Sequence, residues 1–228
     1  MDRLGRTWYG TDGGGLIVYD PKGAYRVFRH DEGDRGSLSA DVVWCLHEDR
    51  DGTLWVGMES GGLDRLDPGS TSFAHYRPDP GRGSSLRGAS VRCIFRDSRS
   101  RLWVGTWDGG VSRLEADGSS FKSWGPEPGK ADSLGDASVN AIFEDSRKRI
   151  WIGTGGAGLQ LLDEVHDSFS GIAEEEGLAG STVYGILEEA PGELWISTSA
   201  GLTRCLQLQR RARTRCSVAS GPTSRTRR

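Results

Sequence analysis

The side chains able to do chemistry are few, and their spacing argues against most catalysis. His30, His47, His75 and His166 fall into no metal-ligand spacing. There is no G-x-S-x-G element, P-loop or HExxH. His47 beside Glu48 is the one adjacent His–Glu pair, the minimum a metal-assisted proton transfer would need. Binding chemistry has a better candidate in Trp107-Asp108, with Glu59 and Asp12 in the matching stretches of neighbouring segments. An exposed indole stacks on a sugar ring while carboxylates accept the ring's hydroxyls. The plainer account, that Trp107 covers the end of its element, stands beside it. Nothing calls for a cofactor or a metal.

Those residues sit in a repeat. Trp8, Trp55, Trp103, Trp151 and Trp195 are 47, 48, 48 and 44 residues apart, each in a near-copy of Trp-Val/Ile-Gly-Thr. In four copies a leucine lies seventeen residues upstream (Leu38, Leu86, Leu134, Leu178) and a valine twelve upstream (Val43, Val91, Val139, Val183). A carboxylate lies six upstream (Asp49, Asp97, Asp145, Glu189), and Gly-Leu/Val follows downstream. Residues recurring in every copy build the unit, so function is sought where copies differ. The in-register carboxylates therefore brace the first hairpin and are poor candidates for an acid–base pair. Cys45 and Cys93 share a position with Ala141 and Gly185, which is a size constraint. With no CxxC spacing, the four cysteines point to neither zinc nor redox chemistry. Trp44 and Trp124 lie outside the register but inside expected strands, where packing explains them.

Each unit parses into four short strands, for example Val91–Phe95, Leu54–Gly57, Gly62–Leu66 and Phe73–Tyr76, separated by Asp/Gly turns. The 34 glycines suit so many tight turns. No window shows a helical stripe. Four antiparallel strands repeated every 40 to 50 residues define an all-β chain of β-propeller blades. The count gives three complete blades and two incomplete ones. The first begins at its second strand and the last stops after its third, near Leu206. The expected layout is propeller repeats over residues 1–206, read as a slice of a larger ring, and a basic, disordered tail over 207–228.

The phrase Ser37-Leu38 … Val43-Trp44-Cys45-Leu46-His47-Glu48-Asp49 … Gly52-Thr53-Leu54-Trp55-Val56-Gly57 … Gly61-Gly62-Leu63-Asp64-Arg65-Leu66-Asp67 resembles the two-component regulator propeller repeat. The Asp79-Pro80 … Ser85-Leu86 and Glu127-Pro128 … Ser133-Leu134 loops resemble that family's inter-blade segment. The resemblance spans roughly residues 3–206. It implies a sensor domain in signal transduction, usually periplasmic, joined to a membrane helix and a histidine kinase. It implies recognition of a saccharide-like or other polar ligand, with no chemistry by the propeller. The Trp-Val/Ile-Gly-Thr phrase is also similar to streptogramin lyase-type propellers, which leaves an enzyme open, as does a protein-interaction scaffold.

This stretch of sequence carries no apolar run of 18 residues, no signal peptide and no kinase region. It would thus be cytoplasmic if made as given, against the periplasmic expectation of the family. The partners expected are a small ligand, remaining blades or a kinase module encoded elsewhere, and further copies meeting at open blade edges. Nucleic acid is not expected. Setting aside the seven arginines of residues 207–228 leaves 22 basic against 32 acidic residues, a formal −10 over 1–206, and phosphate contacts need Lys and Arg.

Overall fold

The computed structural model describes residues 1–207 and 214–218. The described residues form five antiparallel sheets in chain order, the blades of a partial propeller. Blade one has three strands, β1 (Thr7–Gly10), β2 (Leu16–Tyr19) and β3 (Tyr25–Phe28). Blade two is β4 (Val43–Glu48), β5 (Leu54–Met58), β6 (Leu63–Leu66) and β7 (Phe73–Tyr76). Blade three is β8 (Val91–Arg96), β9 (Leu102–Thr106), β10 (Val111–Leu114) and β11 (Phe121–Trp124). Blade four is β12 (Val139–Glu144), β13 (Ile150–Thr154), β14 (Leu159–Asp163) and β15 (Ser168–Ile172). Blade five is β16 (Val183–Ala190), β17 (Glu193–Thr198), β18 (Gly201–Gln207) and β19 (Thr214–Val218). One 3-10 turn, Glu174–Glu176, precedes blade five.

One expectation is corrected. Blade five does not stop at its third strand, and the tail expected to be disordered from 207 supplies its fourth. Thr214–Val218 pairs antiparallel with β18, placing Cys216 opposite Cys205, and the two form a disulfide. Arginine-rich composition hid this, because edge pairing is satisfied by backbone groups and needs only short alternation. The rest of the expected tail, residues 208–213 and 219–228, lies outside the described residues. Four blades are therefore four-stranded and one is three-stranded.

The core lies between blades, not within one. Trp55 packs with Leu63, Leu86, Val91 and Phe121 between blades two and three. Trp103 packs with Trp124, Leu134 and Val139 between three and four, and Trp151 with Leu178, Val183 and Cys205 between four and five. A single thin sheet cannot bury both faces, so stacking supplies the burial. The glycine after Trp-Val/Ile permits the close approach. A Cβ on Gly57, Gly105 or Gly153 would collide with the valine opening the next blade's innermost strand (Val91, Val139, Val183). The fifth copy has Ser197 there, and no following blade abuts it among the described residues.

The recurring carboxylate has a sharper role than bracing a turn. Asp49, Asp97, Asp145 and Glu189 accept the indole N–H of the tryptophan six residues on, at 2.7, 2.9, 2.9 and 2.6 Å. Asp2 does the same for Trp8 at 2.8 Å, a fifth clamp the alignment of copies had not included. Arg6, Arg101 and Arg149 lie over the rings they share these acids with.

Candidate ligand-binding face

The innermost strands β4, β8, β12 and β16 contact one another in succession and so line the inner side of the stack. Each has a bulge at its start. Pairing with the second strand shifts register between Val43 and Cys45, Val91 and Cys93, Val139 and Ala141, and Val183 and Gly185. The residue at the bulge is Trp44, Arg92, Asn140 and Tyr184 in turn. A bulge leaves its extra residue out of the ladder and re-aims the side chain. Four chemically different side chains thus leave the ladder at equivalent points of the repeat.

The link between second and third strands adjoins the same strand ends. The amides of Glu59, Trp107, Gly155 and Ser199 donate to the carbonyls of Val42, Ser90, Ser138 and Thr182, each just before the bulge. Thr106 and Thr154 tighten their links, each hydroxyl donating to the glycine carbonyl that closes the link and accepting an amide from within it. Trp107 is therefore held on a short, braced segment, and half of its surface is exposed. One indole face meets Arg92, whose guanidinium carbon is 4.3 Å from the ring centroid. The same guanidinium carbon is 3.8 Å from the Trp44 ring centroid. Arg92, Trp107, Asn140, Gly155, Thr182 and Tyr184 line a cleft of about 430 Å³, within the range of small-ligand sites.

Of the residues singled out by sequence, Trp107 lies in this cleft. Asp108 is turned aside, accepting the amides of Ala89 and Ser90 at 3.2 Å each, so it holds the approach to β8. Glu59 and Asp12 are exposed at the equivalent link positions of blades two and one. Trp44 is corrected: it does not pack like Trp124, which is buried on Trp103, but stands half-buried at the bulge against Arg92. Sequence reasoning missed Trp44, Arg92, Asn140 and Tyr184. Their signal was present, since they follow the invariant valine and differ in every copy.

Other polar sets are absorbed by structure. His47 bonds Asp49 at 3.2 Å, while Glu48 accepts the Arg3 amide across the blade boundary, so the His–Glu neighbours diverge. Ser39 and His75 meet the buried Asp64 in blade two. The His75 Nε2 faces the Arg35 carbonyl, and Asp64 also accepts the Ser39 amide. Gln160 and Thr203 occupy the Asp64 position in later blades and accept the matching loop amide, so the trio ties a loop to its sheet. Burial pushes the Cys93 thiol up to about 12 and raises Cys45 further, which leaves both as inert packing groups. Among the described residues no cluster of His, Cys, Asp and Glu is arranged to hold a metal, and no helix is long and apolar enough to cross a membrane.

Fold and face together define a β-propeller segment with a variable inner edge. The sequence model of the family described as two component regulator propeller matches residues 37–60, 85–108 and 133–156 of this chain. No curated protein matches it. Its fold is similar to the extracellular domain of a hybrid two-component system from B. thetaiotaomicron, with 24% identity and a TM-score of 0.71 over 91% of this chain and 26% of that one. A second such domain from the same organism has 19% identity and a TM-score of 0.70, over 96% of this chain and 30% of that one. Virginiamycin B lyase from Staphylococcus aureus has 14% identity and a TM-score of 0.66, over 97% of this chain and 69% of that one. The chain thus spans about a quarter to a third of the length of the two-component domains it is similar to.

Proposed function

We propose that this chain is a non-catalytic, ligand-sensing segment of a two-component signalling receptor, and that it binds a small polar, saccharide-like ligand. Trp107 stacks on the ligand ring, and Glu59 and Asp12 take hydroxyls at the equivalent positions of neighbouring blades. Asp108 keeps the Trp107 link in place. The observation that carries this reading is the bulge row beside Trp107, where equivalent points of the repeat present a different side chain in each blade along one cleft. The family match supports the signalling role, with the kinase output and further blades lying in other parts of the receptor. The Cys205–Cys216 disulfide supports a site outside the cytoplasm, because such bonds persist in oxidising compartments.

Exposed Leu187 and Leu202, with Trp195, form an open apolar face on blade five, the counterpart of faces that are covered in blades two to four. We assign its cover to another blade, from the receptor or from a second copy. The ligand reading is tested by thermal shift and titration with neutral and acidic sugars on wild type and Trp107→Ala. A shift in wild type that is lost in the folded variant is expected. Unchanged binding in the variant removes Trp107 from the site, and metal-dependent turnover would replace the sensor with an enzyme.

A further inference from the structure

Among the strand arginines whose side chains are described, Arg92 and Arg26 are the two without an acid partner, and Arg26 is exposed over Phe28. Arg6, Arg65, Arg96, Arg101, Arg113, Arg149 and Arg204 each pair with an aspartate or glutamate. Arg92 has no acid partner among the described residues, in a body that carries a formal −10, and its Nε is buried without a hydrogen-bond partner. Its planar cation instead lies against both Trp44 of blade two and Trp107 of its own blade, at 3.8 and 4.3 Å from their centroids. Two tryptophan rings thus lie against the guanidinium, and its N–H groups remain donors for an approaching anion. Those N–H groups form a fork suited to donating two parallel hydrogen bonds to a carboxylate or sulfate.

The neighbouring acid that could neutralise it, Asp108, is spent on the Ala89 and Ser90 amides. The cleft wall opposite is uncharged. Asn140 donates to the Val183 carbonyl, Thr182 donates to the Gly155 carbonyl, and Tyr184 is exposed. Resting on the reading that this face takes a saccharide-like ligand, we infer that the ligand is anionic. The Arg92 fork receives its carboxylate or sulfate group while Trp107 takes the ring beside it. The shared chemistry is an oxyanion on a sugar ring, and the two sources are separable by experiment.

The test titrates the protein with glucose, glucuronate and glucose 6-sulfate while following tryptophan emission, since Trp44 and Trp107 both touch the cation. One or both acidic sugars should bind at least about tenfold more tightly than glucose, the scale of one charge-assisted hydrogen-bond pair. Which acid binds identifies carboxylate or sulfate. Arg92→Gln should abolish the preference, and Arg92→Lys should keep part of it, with circular dichroism confirming that both fold. The wild-type preference is a test in its own right if either variant does not fold. Equal binding of all three sugars, lost in Trp107→Ala, overturns the anion assignment and leaves the ligand face standing. No response to any of the three overturns both.

Discussion

At its start, the innermost strand of each complete blade carries Trp44, Arg92, Asn140 or Tyr184; just past or near its end, it carries the acid that holds that blade's indole (Asp49, Asp97, Asp145 or Glu189). One strand thus has a variable end and an invariant end within about six residues. The invariant end is constrained because indole, acid and the next blade's valine must fit together at every boundary. The variable end is released from that fit, because a bulge takes its residue out of the ladder. Stability and recognition are separated along a single strand.

The separation predicts opposite outcomes for two tryptophans four residues apart. Trp103→Ala removes a fully buried ring between blades three and four and should cost about 3–5 kcal/mol in chemical denaturation. A loss below about 1 kcal/mol would mean the blades do not depend on this stack.

Asp97→Asn should have the next largest effect, about 1–2 kcal/mol at neutral pH. Burial alone would raise the Asp97 carboxyl, but the Trp103 indole and the amide and guanidinium of Arg101 outweigh it and lower its pKa. Against burial, Asp49 is likewise lowered by His47, Arg96 and the Trp55 indole, and Asp2 by the Trp8 indole and the amide and guanidinium of Arg6. A lowered carboxyl supplies stability above its unfolded pKa, about 4, and loses it as pH falls through its folded value. Wild type should therefore weaken from about pH 4 downward, and Asp97→Asn should show a shallower loss on the same acid titration. Parallel curves would remove Asp97 from the account.

At the variable end, Trp107→Ala should change stability by no more than about 0.5 kcal/mol, as for a surface change. A cost near that of Trp103 would merge the two ends and leave no separate recognition surface. Smallest in thermal terms, Leu187→Ser with Leu202→Ser should barely move the melting temperature yet reduce self-association by light scattering. Unchanged oligomers would place the contact elsewhere.

Much of the fold was legible because the same physical problem recurs at each blade boundary. A thin sheet needs a flat ring, a glycine and an incoming valine, and five copies of that solution reveal the period. The indole–acid clamp was visible as a spacing of six, but its bond was not. Asp2 went unnoticed because blade one lacks the innermost strand that marks the register elsewhere. The candidate site was half legible. Trp107 stood out in a link, whereas Arg92 looked like an ordinary strand residue. The Cys205–Cys216 pair was not legible, because disulfide pairing depends on which strands meet, not on local spacing.

The amino-acid sequence by itself determined the repeat, the strand order within each blade and the tryptophans that stack the blades, since those follow from local alternation and a period. Only the tertiary structure decided that the bulge aims Arg92 out of its ladder and that a tryptophan from the preceding blade closes on it. It alone decided that Cys205 meets Cys216. Contacts between separate blades depend on how the sheets lie against one another, and no spacing along a single strand encodes that.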